Sequence, residues 1–219
     1  KDIIDTCMHQ YKFTYEKVRS SHQIGEVNGL YATTLGDGGL LPIQVQLINN
    51  SKSELSLTGN QGDIMKESMK VATTVVQSLI TDNKLISPEK DLGSMSVHIH
   101  ATDTAQYKDG PSAGGAIALG MISKLYNEPI NRLCAITGEL DVLGNIKAIG
   151  GLHSKIQGAK QAGVSVLIYP KENQNDISII SKEDPQCIEG MNLIPITKVD
   201  SLINKALLNP DNIKKTHNK

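Results

Sequence analysis

K-D-G-P-S-A-G-G-A-I-A-L-G-M-I-S-K-L-Y, Lys108 to Tyr126, joins a turn of glycine and proline to an apolar run crowded with small residues. The run reads as a buried helix whose glycines and alanines let neighbouring backbones come close. One hydroxyl, Ser112, stands at its entrance between Pro111 and Ala113. Pro111 sets its own φ and confines Gly110, so the turn has little freedom. A helix starting at about Ser112 leaves the N–H groups of its first turn unpaired, and its dipole favours negative charge beside them.

Three readings of the turn stand side by side. Ser112 is an ordinary helix N-cap, with Asp109 ending a turn. Alternatively Gly110-Pro111-Ser112-Ala113-Gly114 is the G-x-S-x-G elbow of an α/β-hydrolase, although that fold wants a strand running into the serine and Q-Y-K-D is a poor strand end. The third, a phosphate-cradling loop, lacks the P-loop lysine and the strand-first context. A reactive serine needs a base within reach and donors aimed at the developing charge. The best-placed base is Lys155, in the first turn of a short helix after Gly150-Gly151. The helix dipole and burial both disfavour an ammonium there, although a lysine at a helix start is ordinarily a solvated surface residue.

Outward from this stretch, I-G-E-V-N-G-L-Y-A-T-T-L and L-L-P-I-Q-V-Q-L-I read as two strands joined by G-D-G-G, with Pro42 at an edge or strand start. Apolar residues recur at spacings of three and four from Asp63 to about Thr81, an amphipathic helix. Ser94 to His100 alternates at period two, placing His98 and His100 on one strand face. Leu133 to Thr137 reads as a strand, and a hairpin follows with its turn at Leu143-Gly144-Asn145. A short helix then stops at Gly163, a strand ends in Y-P, and a helix around Ile177, the strand L-I-P-I and a helix V-D-S-L-I-N-K-A-L-L follow. The pattern predicts an α+β fold, with small mixed sheets, helices packed on them and two closely packed lobes.

Composition narrows the function classes. With 22 Lys plus Arg against 23 Asp plus Glu, the net charge of −1 leaves no electrostatic footprint for nucleic acid or an anionic membrane. No apolar run of about eighteen residues is present, and the first segment is too polar for a signal peptide, so the protein reads as soluble. Cys7, Cys134 and Cys187 lie far apart without C-x-x-C, which argues against a disulfide framework or structural zinc and for a reducing compartment. No metal ligand set is expected: His98 and His100 lack a visible third ligand and read as structural or supporting, and Cys134 as a small core residue.

Several ordered motifs together resemble the proteolytic domain of the Lon protease family. They are I-G-E-V-N-G-L, L-T-G-N-Q-G-D-I-M-K-E-S, H-I-H, K-D-G-P-S-A-G, I-T-G-E-L, G-N-I-K-A-I-G-G-L-H-S-K and V-L-I-Y-P, covering nearly all of the chain from Ile24 onward. The resemblance implies a serine endopeptidase with Ser112 as nucleophile and Lys155 as general base, at the family's usual spacing. It also implies that Thr137 orients the amine, that Asp109 sits where some relatives fold an aspartate over the serine, that His100 supports the site and that the backbone N–H groups of Ser112 and Ala113 hold the oxyanion. His153 borders the site.

The implied organisation is a lead-in from a preceding helical or ATPase module over residues 1–23, a Lon-like proteolytic domain over 24–208 and a polar tail over 209–219. The implied partners are unfolded polypeptides, an upstream ATPase module that alone uses ATP and Mg, and further copies in a homo-hexamer; the domain itself needs no cofactor. Two segments depart from the family. T-D-T-A-Q-Y, Thr102 to Tyr107, lacks the usual prolines before the serine loop, and G-L-Y-A-T-T-L-G-D-G-G has no tryptophan. A catalytically silent domain used for assembly or substrate holding is the alternative that these departures leave open.

Overall fold

The computed structural model describes residues 16–49, 54–88, 92–102 and 108–213. The N-terminal part of the expected lead-in, most of the Thr102–Tyr107 loop and the end of the tail lie outside them. The glycine turn after Ala32 reverses the chain as expected, closed by Thr33 N–H on the Asp37 carbonyl at 2.8 Å. It joins β1 (Glu26–Ala32) to β2 (Gly38–Asn49) in antiparallel register from Glu26↔Gln44 to Ala32↔Gly38. The remaining strands are β3 (Leu55–Thr58), β4 (Met95–Ala101), β5 (Cys134–Ile136), β6 (Glu139–Leu140), β7 (Ile146–Lys147), β8 (Val166–Pro170) and β9 (Asn192–Ile196). Among the described residues six α-helices accompany them: α1 (Asp63–Thr81), α2 (Gly114–Tyr126), α3 (Leu152–Gln161), α4 (Gln174–Glu183), α5 (Pro185–Ile188) and α6 (Ser201–Ala206).

Seven strands share one mixed sheet in the order β3-β4-β2-β1-β5-β8-β9, and β6 pairs with β7 in a separate ribbon. The predicted α+β class is observed. β2 runs antiparallel to both β1 and β4, whereas β1, β5, β8 and β9 run parallel to one another. β4, β1 and β5 therefore all end on the same edge of the sheet, the side on which open sheets of this kind place their sites.

Period-two alternation divides the core between the two faces. Val27, Leu41, Ile43 and Val45 pack on one face with Met69 and Val76 of α1 and Ile117 and Met121 of α2. Leu30 and Leu40 pack on the other with Leu152 and Ile156 of α3, Tyr169 and Ile177. Pro42 differs from expectation, lying inside β2 opposite Asn28 rather than at a strand start. Its carbonyl accepts from Thr102 N–H at 3.1 Å, and the β4 ladder ends one position away at Ile43↔Ala101. The missing N–H thus falls at the end of the β2–β4 ladder, where the proline still contributes its carbonyl to Thr102, which makes it tolerable.

Two glycines bring α3 onto the sheet. A Cβ at Gly38 would meet the Ser154 carbonyl oxygen at 2.1 Å, and one at Gly158 would meet the Gly38 carbonyl carbon at 2.2 Å. Only a pair without side chains lets α3 cross the start of β2 at this distance. That crossing carries Lys155 into the interior.

Candidate active site

Ser112 lies in a single 3₁₀ turn, Pro111–Ala113, that leads into α2. The helix begins at Gly114, slightly later than predicted, and no side chain caps either start, so the plain N-cap reading of Ser112 is not what the structure contains. Gly110 precedes the turn at φ +119°, a region closed to most L residues, which explains glycine before the proline. The serine backbone is stitched to the segment after β5. Gly138 N–H donates to the Ser112 carbonyl at 2.8 Å, and Gly115 N–H to the Gly138 carbonyl at 3.2 Å. Ser68 of α1, a buried residue, adds its hydroxyl to the Pro111 carbonyl at 3.3 Å.

Thr137 is fully buried at the end of β5, where its N–H donates to the Ile168 carbonyl at 3.1 Å. Its hydroxyl accepts from Lys155 Nζ at 3.3 Å and donates to the Ser112 carbonyl at 3.5 Å. One side chain thereby connects the amine to the serine backbone. Lys155 is 4% exposed, and it forms no ion pair with a carboxylate among the described residues. Burial alone lowers its pKa from 10.5 to about 8. A lysine held this way keeps a substantial neutral fraction near physiological pH.

Ser112 and Lys155 open into the same cavity of about 680 Å³. Leu30 to Thr34 of the β1 end, Leu40 to Pro42 of β2, Met65, Lys108 to Gly110 and Gly150-Gly151 complete much of its wall. The Ser112 hydroxyl makes no hydrogen bond among the described residues; the amine currently bonds Thr137.

Asp109 also lines the cavity, but its carboxylate has a structural task. Oδ1 accepts from Met65 N–H at 2.9 Å and from its neighbour Gly110 N–H at 2.9 Å. Gly62, at the cap position of α1, has no side chain to satisfy the first-turn donors, so Asp109 caps that helix from a distant part of the chain.

His100 stands outside the cavity, in the structural setting read for it and His98. Its Nδ1 meets Thr58 Oγ1 at 2.8 Å, the same hydroxyl meets His98 Nε2 at 2.9 Å, and neither histidine lines the cavity. Its link to the site runs through the loop after β3, where Lys108 N–H donates to the Asn60 carbonyl at 3.0 Å and Gly62 N–H to the Lys108 carbonyl at 2.7 Å. Cys134 is a buried core thiol as expected, its pKa pushed up to about 12 by burial. His153, on the first turn of α3, does not line the cavity; it pairs with Asp184 at 2.9 Å.

Sequence reasoning missed the wall formed by Tyr31, Thr33 and Thr34. Tyr31 belongs to the segment without the family tryptophan, and its ring covers Gly39, where a Cβ would come within 2.7 Å of the hydroxyl. A glycine paired across a hairpin from an aromatic, Tyr31↔Gly39, was the available signal. Ser68 left none, since a serine on a helix face looks solvated until its partner is known.

Comparison with known proteins places the chain in a family. The model of the Lon protease (S16) C-terminal proteolytic domain matches residues 1–209. Among curated relatives, Lon protease 1 of Bacillus subtilis is 37% identical over 197 residues, 90% of this chain and 24% of that protein. Lon protease of Buchnera aphidicola is 36% identical over 197 residues, again 90% of this chain and 24% of the relative. A Lon protease homolog of Acanthamoeba polyphaga mimivirus is 35% identical over 195 residues, 86% of this chain and 19% of its own length. The chain thus spans about a quarter or less of the relatives it matches. With a model covering nearly its whole length and relatives above one-third identity, the chain belongs to the Lon protease C-terminal proteolytic domain family.

Proposed function

We propose that this domain is a serine endopeptidase in which Ser112 and Lys155 act as a dyad on unfolded polypeptides. The observation that carries the reading is the Lys155 amine, 4% exposed and without a carboxylate partner among the described residues, opening into the cavity that holds Ser112. In this reading the neutral amine leaves Thr137, takes the Ser112 hydroxyl proton, and Oγ attacks the peptide carbonyl. Backbone N–H groups of Ser112 and Ala113 face the oxyanion. The ammonium then returns its proton to the departing amine, leaving an acyl ester on Ser112. Water, deprotonated by the same lysine, releases the acid and restores the hydroxyl.

The full-length relatives are named proteases, and the domain accounts for 24% of one such protein. We accordingly place it downstream of an ATPase module that delivers unfolded chain using ATP and Mg, in a homo-hexamer. Among the described residues, no helix is long and apolar enough to cross a membrane.

Cleavage of an unstructured protein by wild type, Ser112→Ala and Lys155→Met tests the dyad. Wild type is expected to cleave, with both variants at least about 10³-fold slower, as for members of other catalytic units. Equal rates in all three overturn the dyad, and wild-type inactivity even on short unstructured peptides favours the silent domain. Between mild acid and mild alkali the acylation rate should rise with pH through about 8, since only the free amine is competent.

A further inference from the structure

We propose that His153, Asp184 and Cys187 form a site for a borderline-soft divalent cation of the Zn²⁺ class. Sequence spacing gave no hint of it, because the three residues come from two helices that meet only in the fold. His153 is on the exposed side of the first turn of α3; Asp184 is the N-cap of α5 and Cys187 lies inside that helix. Their ligand atoms all lie within 4.8 Å of one another, with His153 Nε2 and Asp184 Oδ2 at 2.9 Å. Tetrahedral zinc holds such atoms about 3.3–3.6 Å apart, so the histidine–aspartate pair opens slightly while the sulfur closes in.

The donor set is one nitrogen, one carboxylate oxygen and one sulfur, a mixture that suits zinc and its neighbours and not the hard oxygen-seeking cations. Access also fits. His153 and Asp184 have side chains 47% and 36% exposed, whereas Cys187 is buried beneath them, so an ion enters from solvent and reaches the thiol last. Gln157, one turn along α3, holds its side-chain amide 3.5 Å from both His153 Nε2 and Asp184 Oδ2. Its amide oxygen or a water completes four-coordination. On binding, the Cys187 thiol proton leaves to solvent and sulfur bonds the metal as thiolate; no electron is transferred. The competing reading is that Asp184 only caps α5, through Cys187 N–H at 3.3 Å, and pairs with His153.

Cobalt(II), a spectroscopic substitute for zinc, separates the two. It is added to the chelator-treated chain under a non-thiol reductant. The expected result is one equivalent bound, with sulfur-to-cobalt charge transfer in the near ultraviolet and tetrahedral bands in the visible. Cys187→Ala should abolish the charge-transfer band, and His153→Ala should weaken binding about tenfold or more, while His98→Ala changes neither. Wild type without the band at stoichiometric cobalt, or a band that persists in Cys187→Ala, overturns the site. Should Cys187→Ala misfold, His153→Ala decides alone: its ring is solvent-facing, and unchanged affinity with an unchanged circular dichroism spectrum overturns the proposal.

Discussion

Lys147 and Lys155 stand on either side of Gly150-Gly151, yet their surroundings are opposite. Lys147 Nζ, on a side chain 47% exposed, rests 3.1 Å from Glu172 Oε1 in water. Lys155 is 4% exposed and meets a threonine hydroxyl instead of a carboxylate. The first is an ordinary surface ion pair, screened by solvent and salt. The second bears an uncompensated cost for every proton it keeps. The same side chain holds its proton tightly or loosely according to what packs around it, and here the packing is a helix crossing a strand through Gly38 and Gly158.

The strongest way to break the contrast is Gly158→Ala. Replacing a mid-helix glycine ordinarily gains up to about 1 kcal/mol, but here the new methyl strikes the Gly38 backbone. We expect a loss exceeding about 3 kcal/mol in chemical denaturation, and any soluble remainder should show a Lys155 titration nearer that of a free lysine. A stabilised variant would disprove the packing argument.

Lys155→Met sharpens it. Because the folded pKa lies below the unfolded value, the unfolded chain binds more protons between about 8 and 10.5 and wild-type stability rises with pH across that window. Below pH 8 the deficit is fully present, so the variant should be more stable there by up to about 3 kcal/mol. Denaturation midpoints measured at pH 7 and pH 10 should converge between the two proteins as pH rises. Lys147→Met, at the other end of the comparison, should leave the midpoint unchanged within error at both pH values.

Much of the scaffold was legible because it is local. The helix from Asp63 to Thr81 and the alternation of β4 announce themselves by period, and the serine turn by its glycines and proline. The four residues of β3 escaped notice, since Leu55–Thr58 is too short for alternation to stand out and gains its order by pairing in parallel with β4. Two other features depend on contacts distant in the chain. Lys155 in the first turn of α3 looks solvated until Gly38 is known to lie beneath that helix, and Asp109 looks like a turn residue until Met65 N–H is found on its carboxylate. The partner of His100 was hidden for the same reason. A matching motif fixed its strand, but the sheet face it occupies directs it to Thr58.

The carboxylate of Asp109 tethers the serine turn to a helix of nineteen residues. Losing such a cap costs about 1 kcal/mol. That energy corresponds to a population bias of about five to one, enough to hold the loop in its present setting most of the time yet small enough to be offset by one or two new backbone hydrogen bonds. The turn that carries Ser112 is therefore held by a latch whose release costs no more than a bond or two made elsewhere could return.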